Sequence, residues 1–313
     1  MAKSPPADIL SWENLIYVAD FLERSGERQF RLLGGEPTLH PHFNAFVLYL
    51  LERRFDVSVF TSGVMSDSTL EEMGELADGL PPERLTFVCN LNDPRTTPTP
   101  LAETEAVRRF LRVMGQRVIS GFNMYRPDFD LSFLFSLINE FGLRRTIRLG
   151  VAHPIVGTRN QHIPLAAMDE VIARLFSFAP LFERLRVKPG LDCGFPICRF
   201  TDAQLAWLYR YTGGKSEFSC GPVIDIGPDL SLWPCFPLSS FHKRSLFEFN
   251  SLREVVDHYN DVHDKVRIET GGIYEACDTC WFREDGLCRG GCLAHIVARF
   301  QGEEPVRMKE VYL

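Results

Sequence analysis

The sequence predicts an α/β fold in which six parallel strands alternate with helices to form an open or closed β/α barrel, followed by a smaller cysteine-rich domain. Two observations support this prediction. From Ser11 to about Gly190 the chain repeats one unit, an amphipathic run followed by a short apolar run, and eight of the nine cysteines lie beyond that region. Apolar strands separated by helices are typical of parallel sheets, because helices then cover both faces of each strand.

The repeated unit begins with a capped helix. Ser11 precedes an amphipathic run that ends near Gly26, and the apolar strand "QFRLLGG" follows. Helices and strands then alternate in the order "FNAFVLYLLERR", "FDVSVFTSG", "STLEEMGELADGL", "RLTFVCNLNDP", "LAETEAVRRFLRVMG", "RVISGFNMY", "LSFLFSLINEFGL", "RTIRLGVAHP", "AAMDEVIARLFSFA" and "RLRVKPG". The resulting six strands favour a parallel β/α barrel over an all-β or an all-α fold.

Length and composition narrow the class of protein. The 313 residues are enough for one large domain or two ordinary ones, and the composition, with 24% charged residues and a net charge of −7, is typical of a soluble protein. A nucleic-acid partner is not indicated, because Lys and Arg are not in surplus. The sequence shows neither a signal-peptide pattern nor an apolar run of roughly 18 residues, so we expect a cytoplasmic protein without a membrane role.

The pattern of residues changes after about Gly190. Regular alternation fades, and cysteine, aromatic and proline residues become frequent, as in "LSLWPCFPLSSFH". We therefore predict two domains, a barrel at residues 1–190 and a smaller α+β domain at residues 191–313. Because disulfides are rare in a reducing cytoplasm, the cysteines are interpreted as metal ligands or reactive thiols.

The densest cysteine motif is "CDTCWFREDGLCRGGC". Cys277 and Cys280 are separated by two residues, and Cys288 and Cys292 by three. A tight turn within each pair points both sulfurs inward, so the four thiolates can converge on one metal centre, either zinc or an iron-sulfur cluster. The glycines at positions 290 and 291 would allow backbone N–H groups to approach the sulfurs.

Four other cysteines precede this motif in the second predicted domain. Cys220 and Cys235 flank a predicted β-hairpin, and Cys193 and Cys198 lie in "LDCGFPIC". Together with the first motif they give eight candidate ligands, enough for two four-thiolate centres. Cys89, in the apolar strand "LTFVCN", is interpreted as a core residue.

The turns after the predicted strands are rich in Gly, Asn, Thr, Ser and His, as expected where parallel strands bind a ligand at their carboxyl ends. In "GGEP", residues 34–37, the glycines let the backbone approach a ligand, Glu36 offers a carboxylate to an ammonium group, and Pro37 stiffens the exit. His40 and His42 are interpreted as surface residues. Four polar residues of later turns either line a ligand or stabilise the turns themselves: Asn90, Asn92, Asn123 and His153.

These motifs resemble those of the radical S-adenosylmethionine (SAM) enzymes, and the C-terminal cysteines resemble the SPASM extension of that family, which carries auxiliary four-iron four-sulfur clusters. The first six cysteine positions of the extension are matched by Cys220, Cys235, Cys277, Cys280, Cys288 and Cys292. The sequence departs from the pattern in three ways: Leu230 stands where the family usually has Gly, the gap after Cys280 is slightly long, and a final Cys is absent. The resemblance therefore implies one auxiliary cluster, and a second would need Cys193, Cys198 or a ligand other than Cys.

The resemblance also implies a function. Family members take an electron from a donor such as flavodoxin or ferredoxin, cleave S-adenosylmethionine to a 5′-deoxyadenosyl radical, and abstract a hydrogen atom from a peptide, protein or small molecule. No residue is identified as a catalytic acid or base. The residues that match the cofactor-binding positions of the family are Gly34, Gly35, Glu36, Pro37, Thr61 and Ser62.

One motif of the family is missing from the sequence. The reducing cluster of the family is bound by Cys-x3-Cys-x2-Cys after the first barrel strand, whereas no cysteine precedes Cys89 here. The resemblance thus implies a partial (β/α)6 TIM-like barrel without its first strand, which belongs either to a fragment of a complete enzyme or to a non-catalytic relative that binds a peptide or SAM. The chain as given is expected to cleave SAM weakly or not at all. A rival hypothesis is a zinc-stabilised binding or scaffold protein, in which the cysteine cage at residues 277–292 is purely structural.

Overall fold

The main sheet contains six parallel strands in the computed structural model, which describes residues 8–95, 99–214 and 218–300. Neighbouring strands are consecutive in the chain, and all five pairs are parallel. The predicted α/β fold is therefore confirmed. The strands are β1 (Gln29–Leu32), β2 (Asp56–Thr61), β3 (Leu85–Asn90), β4 (Val118–Met124), β5 (Thr146–Val151) and β6 (Lys188–Leu191).

Helices connect these strands. As predicted, Ser11 caps the first helix, because its hydroxyl accepts a hydrogen bond from Asn14 N at 3.1 Å. None of the helices in the described ranges is long and apolar enough to cross a membrane. The helix before β1 is α1 (Trp12–Arg24), and those after the first four strands are α2 (Phe43–Glu52), α3 (Asp67–Asp78), α4 (Leu101–Met114) and α5 (Ser132–Phe141).

The connection between β5 and β6 contains two helices where the sequence analysis predicted one. These are α6 (Met168–Phe176) and α7 (Ala179–Leu185). Pro180 lies in the first turn of α7, where its missing N–H is tolerated. Inside a continuous helix the same proline would remove a hydrogen bond and clash with the preceding turn, so one helix ends and another begins.

The two faces of the main sheet differ in polarity. Every second residue of β2, beginning with Val57, is buried, while the residues between them are partly exposed. The side that carries Val57 packs with the helices in the main apolar core. The other side is covered unevenly, because β3 is buried on both faces except at Asn90, whereas alternate residues of β2 are partly exposed. We call the other side the open face, and its residues include Phe60, Asn90, Gly121, Asn123, Arg148 and Gly150.

The C-terminal part contains a small antiparallel sheet and further helices. The sheet consists of β7 (Asp225–Ile226), β8 (Ser231–Trp233) and β9 (Arg244–Ser245), and β7 with β8 forms the hairpin predicted between Cys220 and Cys235. The helices are α8 (Asp202–Thr212), α9 (Leu252–Thr270), α10 (Trp281–Glu284) and α11 (Leu293–Arg299).

Apolar packing continues from the main sheet into the C-terminal part. The main core extends from Leu15 in α1 to the fully buried Tyr259 in α9. In addition, Asn14 Nδ2 in α1 donates a hydrogen bond to Pro228 O in the hairpin at 2.7 Å. The division into domains at residues 1–190 and 191–313 stays a prediction.

The hairpin turn contains a strained leucine. Leu230 has a φ of +63°, in the left-handed region that favours glycine. Its side chain is only 3% exposed and belongs to the main core. Burial of the side chain offsets the backbone strain, which explains how leucine occupies a position where the family it resembles usually has glycine.

We expect Leu230→Gly to destabilise the protein despite relieving this strain. The relief is worth about 1–2 kcal/mol. Removal of a buried leucine side chain costs about 2–5 kcal/mol, so the free energy of unfolding should fall by about 1–3 kcal/mol in chemical denaturation. The matched control is Arg186→Gly, because Arg186 has a φ of +52° but is exposed. The control should gain about 1 kcal/mol, and equal stabilisation of both variants would contradict the burial argument.

Candidate functional site

The turn after β1 presents an open backbone surface. Gly34 has a φ of +144°, which L side chains rarely adopt, and a Cβ at Gly34 or Gly35 would meet no atom within 4 Å. Glu36 caps the short 3-10 turn that follows, Pro37–Leu39, whose first turn contains the proline. The space beside the glycines is therefore open to a ligand that approaches the backbone.

The carboxylate of Glu36 joins this turn to the end of β2. Its Oε1 accepts hydrogen bonds from Thr61 Oγ1 at 2.7 Å and from Thr38 Oγ1 at 2.9 Å. Its Oε2 accepts hydrogen bonds from the backbone N and the Oγ of Ser62, at 2.7 Å and 2.6 Å. These donors are neutral, so they fix the position of the carboxylate without supplying a counter-charge, and this arrangement suits a cationic ligand.

Three of the predicted cofactor-binding residues are thus brought together: Glu36, Thr61 and Ser62. The hydroxyls of Thr61 and Ser62 point to the Glu36 carboxylate and hold it in place. Cys89 lies close behind, since its Sγ would be 3.1 Å from a Cβ at Gly63. Cys89 is fully buried in the main core, and burial raises the pKa of its thiol, which fits its interpretation as a core residue.

The side chains of two predicted asparagines, Asn90 and Asn123, lie against glycines of the neighbouring strands on the open face. A Cβ at Gly121 would lie 2.4 Å from Asn90 Oδ1, and a Cβ at Gly150 would lie 2.5 Å from Asn123 Oδ1. With the asparagines in these positions, a side chain at either glycine would force the asparagine to move. The Oδ1 of Asn90 is buried and makes no hydrogen bond in the part of the chain that the structure describes. Asn92, the third predicted asparagine, is exposed in the loop after β3.

An ion pair on the open face was missed by the sequence analysis. Arg148 in β5 pairs with Asp192, which follows β6, at 2.7 Å, and its guanidinium lies 5.1 Å from the ring centroid of Phe60 in β2. Burial raises the pKa of Asp192, while the charge of Arg148 opposes that shift. The sequence signal that could have identified Arg148 is a charged residue in the middle of the otherwise apolar strand "RTIRLGV".

His153 belongs to a group of histidine rings beside the loop after β6. It is buried, and its Nε2 would lie 2.1 Å from a Cβ at Gly194. The ring of His295 lies 5.4 Å from that of His153 and 5.9 Å from that of His162. Burial lowers the pKa of His153 and lowers that of His295 to about 3, so the rings of His153 and His295 are neutral near pH 7. His42, beside the first turn, is exposed as interpreted.

Four cysteines line one small cavity in the C-terminal part. Three of them belong to the predicted cage, and the fourth comes from the turn after β6. The backbone passes close to one of the sulfurs, because a Cβ at Gly272 would lie 2.6 Å from Cys277 Sγ. The predicted glycines 290 and 291 also line this cavity. We call these cysteines the Cys277 group: Cys198, Cys277, Cys280 and Cys288.

The other four cysteines of the C-terminal part form a second group around Cys220. Interaction with the neighbouring thiol of Cys292, together with burial, raises the pKa of Cys220 well above its usual value. Burial likewise raises the pKa of Cys235, and the nearby Cys220 and Cys193 add to the shift. The thiols of Cys220 and Cys235 are therefore protonated in the absence of metal, and metal binding would release their protons. We call these cysteines the Cys220 group: Cys193, Cys220, Cys235 and Cys292.

The four thiols of the Cys277 group line a cavity and are not gathered at a single metal-binding centre. In the described residues, no set of three or more His, Cys, Asp or Glu side chains is gathered closely enough to hold a single metal ion. A tetrahedral zinc needs four sulfurs at about 2.3 Å from one centre. A four-iron cluster takes one cysteine at each iron, so its ligands lie further apart. The arrangement of the Cys277 group around a cavity therefore fits a cluster better than zinc.

Comparison with known proteins identifies a family for the N-terminal region. Residues 2–87 match the family model described as the radical SAM superfamily. This match confirms the resemblance to radical SAM enzymes inferred from the sequence motifs, and it includes the Glu36 network. No curated protein matches the chain significantly.

Solved structures share the fold over nearly the whole chain. SuiB of Streptococcus suis aligns with 95% of this chain and 69% of its own, at 14% identity and a TM-score of 0.60. A structure of anSMEcpe with bound AdoMet aligns with 91% of this chain and 81% of its own, at 16% identity and a TM-score of 0.62. SuiB bound to its precursor peptide SuiA aligns with 95% and 67% of the two chains, at 14% identity and a TM-score of 0.61. At these identities the matches establish the fold.

We expect Thr61→Val to loosen the Glu36 carboxylate. The change is nearly isosteric but removes a hydrogen bond to a charged acceptor, so the free energy of unfolding should fall by about 1.5–3 kcal/mol in chemical denaturation. The matched control is Thr86→Val in β3, because Thr86 is also buried but its hydroxyl makes only a 3.4 Å contact with Pro82 O. A loss no larger than that of the control would contradict the role given to Thr61.

Proposed function

We propose that the protein is a radical SAM enzyme that binds S-adenosylmethionine at the turn of residues 34–37 and at the end of β2. The observation that carries this proposal is the Glu36 carboxylate, which neutral donors fix at the carboxyl edge of the parallel sheet. That edge is where parallel α/β folds bind their ligands. The carboxylate also lies inside the segment that matches the radical SAM family model.

The residues of the turn suit the amino-acid part of the cofactor. Its ammonium group needs acceptors, and Glu36 supplies negative charge beside the carbonyls of the turn. Gly34 and Gly35 leave room for this approach, while Thr61 and Ser62 keep the carboxylate in place. Hydrogen-atom abstraction would follow reductive cleavage of the bound cofactor by an electron from a reducing cluster, whose Cys-x3-Cys-x2-Cys motif is not in the given sequence. The residues of this turn would bind and orient the cofactor.

The open face of the sheet is the proposed binding surface for the substrate, which we propose to be a peptide, a protein or a small molecule. Polar groups line this face, including the unpartnered Asn90 Oδ1, Asn123 and the Arg148–Asp192 ion pair. Peptide amides offer donors and acceptors that match such side chains. A peptide is supported further by the neighbouring folds, since structures of SuiB and anSMEcpe contain bound peptides.

The eight cysteines of the C-terminal part are proposed to bind one or two auxiliary iron-sulfur clusters of the SPASM type. The arrangement of the Cys277 group around a cavity supports a cluster over zinc, the alternative metal, at that group. Such clusters would accept an electron from the substrate or ligate the substrate. A flavodoxin or ferredoxin is the proposed class of electron donor.

We expect Glu36→Gln to weaken binding of S-adenosylmethionine about tenfold to a hundredfold in isothermal titration calorimetry. The reason is the loss of the negative charge beside the ammonium group of the cofactor, since a polar contact to a charged group is worth about 1.5–3 kcal/mol, at about 1.4 kcal/mol per factor of ten. The matched control is Glu27→Gln at the opposite end of β1, where Glu27 Oε1 accepts hydrogen bonds from the backbone N atoms of Arg28 and Gln29 at 2.8 Å and 2.7 Å. The control should bind the cofactor as wild type does. Equal affinity of Glu36→Gln and wild type would contradict the proposed cofactor site.

Anaerobic purification tests the metal. Because the thiols are spread around a cavity, we expect brown protein that contains iron and acid-labile sulfide. Colourless protein with stoichiometric zinc would instead support the zinc-stabilised scaffold.

A further inference from the structure

Sequence spacing and three-dimensional placement group the cysteines differently. The motif at residues 277–292 places Cys292 with the three cysteines before it. In the structure Cys220 neighbours Cys292 and packs against the apolar cluster that contains Cys292, while Cys198 lines the cavity shared by Cys277 and its neighbours. Spacing alone would place Cys292 beside Cys277, Cys280 and Cys288, but in the structure Cys198 takes that place.

The turn that carries Cys198 is held in place by two contacts of its neighbour Arg199. Cys198 lies in the short turn Ile197–Arg199, which follows β6. The Nε of Arg199 donates a hydrogen bond to Asp169 Oδ1 in the first turn of α6 at 2.6 Å, and its guanidinium lies 5.5 Å from the ring centroid of Tyr274. Tyr274 itself lines the cavity of the Cys277 group. The turn is thus held against the cavity wall by an ion pair and a cation–π contact.

Two closely packed glycines bring the backbone near the sulfur of Cys277. Gly272 and Gly290 lie side by side, because a Cβ at Gly290 would be 3.1 Å from Gly272 Cα. A hydrogen bond from Ile273 N to Gly290 O, at 2.9 Å, fixes this pair of segments. Any side chain at Gly272 would collide with Cys277. The glycines therefore keep the cavity beside the thiols free.

We infer that Cys198 is the fourth cysteine ligand of an iron-sulfur cluster held by Cys277, Cys280 and Cys288, because these four cysteines line one cavity. This inference rests on the proposed binding of auxiliary clusters. The loop after β6 then supplies the fourth ligand to this cluster. Each of the four thiols releases its proton to solvent as it binds iron.

The test removes one cluster and examines the ligands of the other. Protein carrying Cys220→Ala and Cys235→Ala is reconstituted anaerobically with ferrous iron and sulfide. The wild type should bind about eight iron atoms per chain, and this variant about four, from the cluster of the Cys277 group. Addition of Cys198→Ala to the variant should then lower the iron content or change the electron paramagnetic resonance spectrum of the reduced cluster. Addition of Cys292→Ala should change neither.

The opposite result, in which Cys292→Ala alters the remaining cluster and Cys198→Ala does not, would overturn the inference and restore the grouping expected from the motif. Cys89→Ala in the same background is the control for loss of a buried cysteine, and it should leave both iron content and spectrum unchanged. The reciprocal background, Cys277→Ala with Cys280→Ala, should not respond to Cys198→Ala, which keeps the test decisive if the first background folds poorly. Wild type without iron would overturn the proposed clusters themselves, whereas clusters insensitive to Cys198→Ala would overturn this inference alone.

Discussion

Parallel pairing of consecutive strands is the constraint on which the rest of the structure depends. Because the six strands run in the same direction and lie in chain order, all their carboxyl ends meet at one edge of the sheet. The turn after β1 and the end of β2 are therefore neighbours, although 25 residues separate Glu36 from Thr61. One carboxylate then connects the two strand ends through hydrogen bonds from neutral donors. The proposed cofactor site follows from this pairing.

Alternation along the strands separates the two faces of the main sheet. Apolar residues of one parity pack with the helices, and polar side chains such as Asn90, Asn123 and Arg148 lie among the residues of the other parity. On that face, Gly121 and Gly150 make room for the side chains of Asn90 and Asn123. Polar groups that would be costly in an apolar core are thereby concentrated where a ligand can satisfy them.

The loop after β6 links the sheet to the cysteine-rich part of the chain. Asp192 at its start pairs with Arg148 on the open face, and Cys193 and Cys198 follow within six residues. A change in the position of this loop would therefore affect the open face and both cysteine groups together. The neighbouring thiol of Cys292 and burial raise the pKa of Cys220, and burial raises that of Cys235, so a metal would be needed to stabilise these two side chains as thiolates.

The sequence by itself determined the six strands, the Ser11 cap, the hairpin between Cys220 and Cys235, and the candidate residues of the first turn, because these depend on local periodicity and short spacing. It missed the division of α6 from α7, although Pro180 carried the signal. Only the tertiary structure decided that Arg148 pairs with Asp192 and that Cys198 lies with Cys277 while Cys292 lies with Cys220. The physical reason is that these contacts join segments 44 to 79 positions apart. The packing of whole helices and strands brings such segments together, and local spacing in the sequence does not encode that packing.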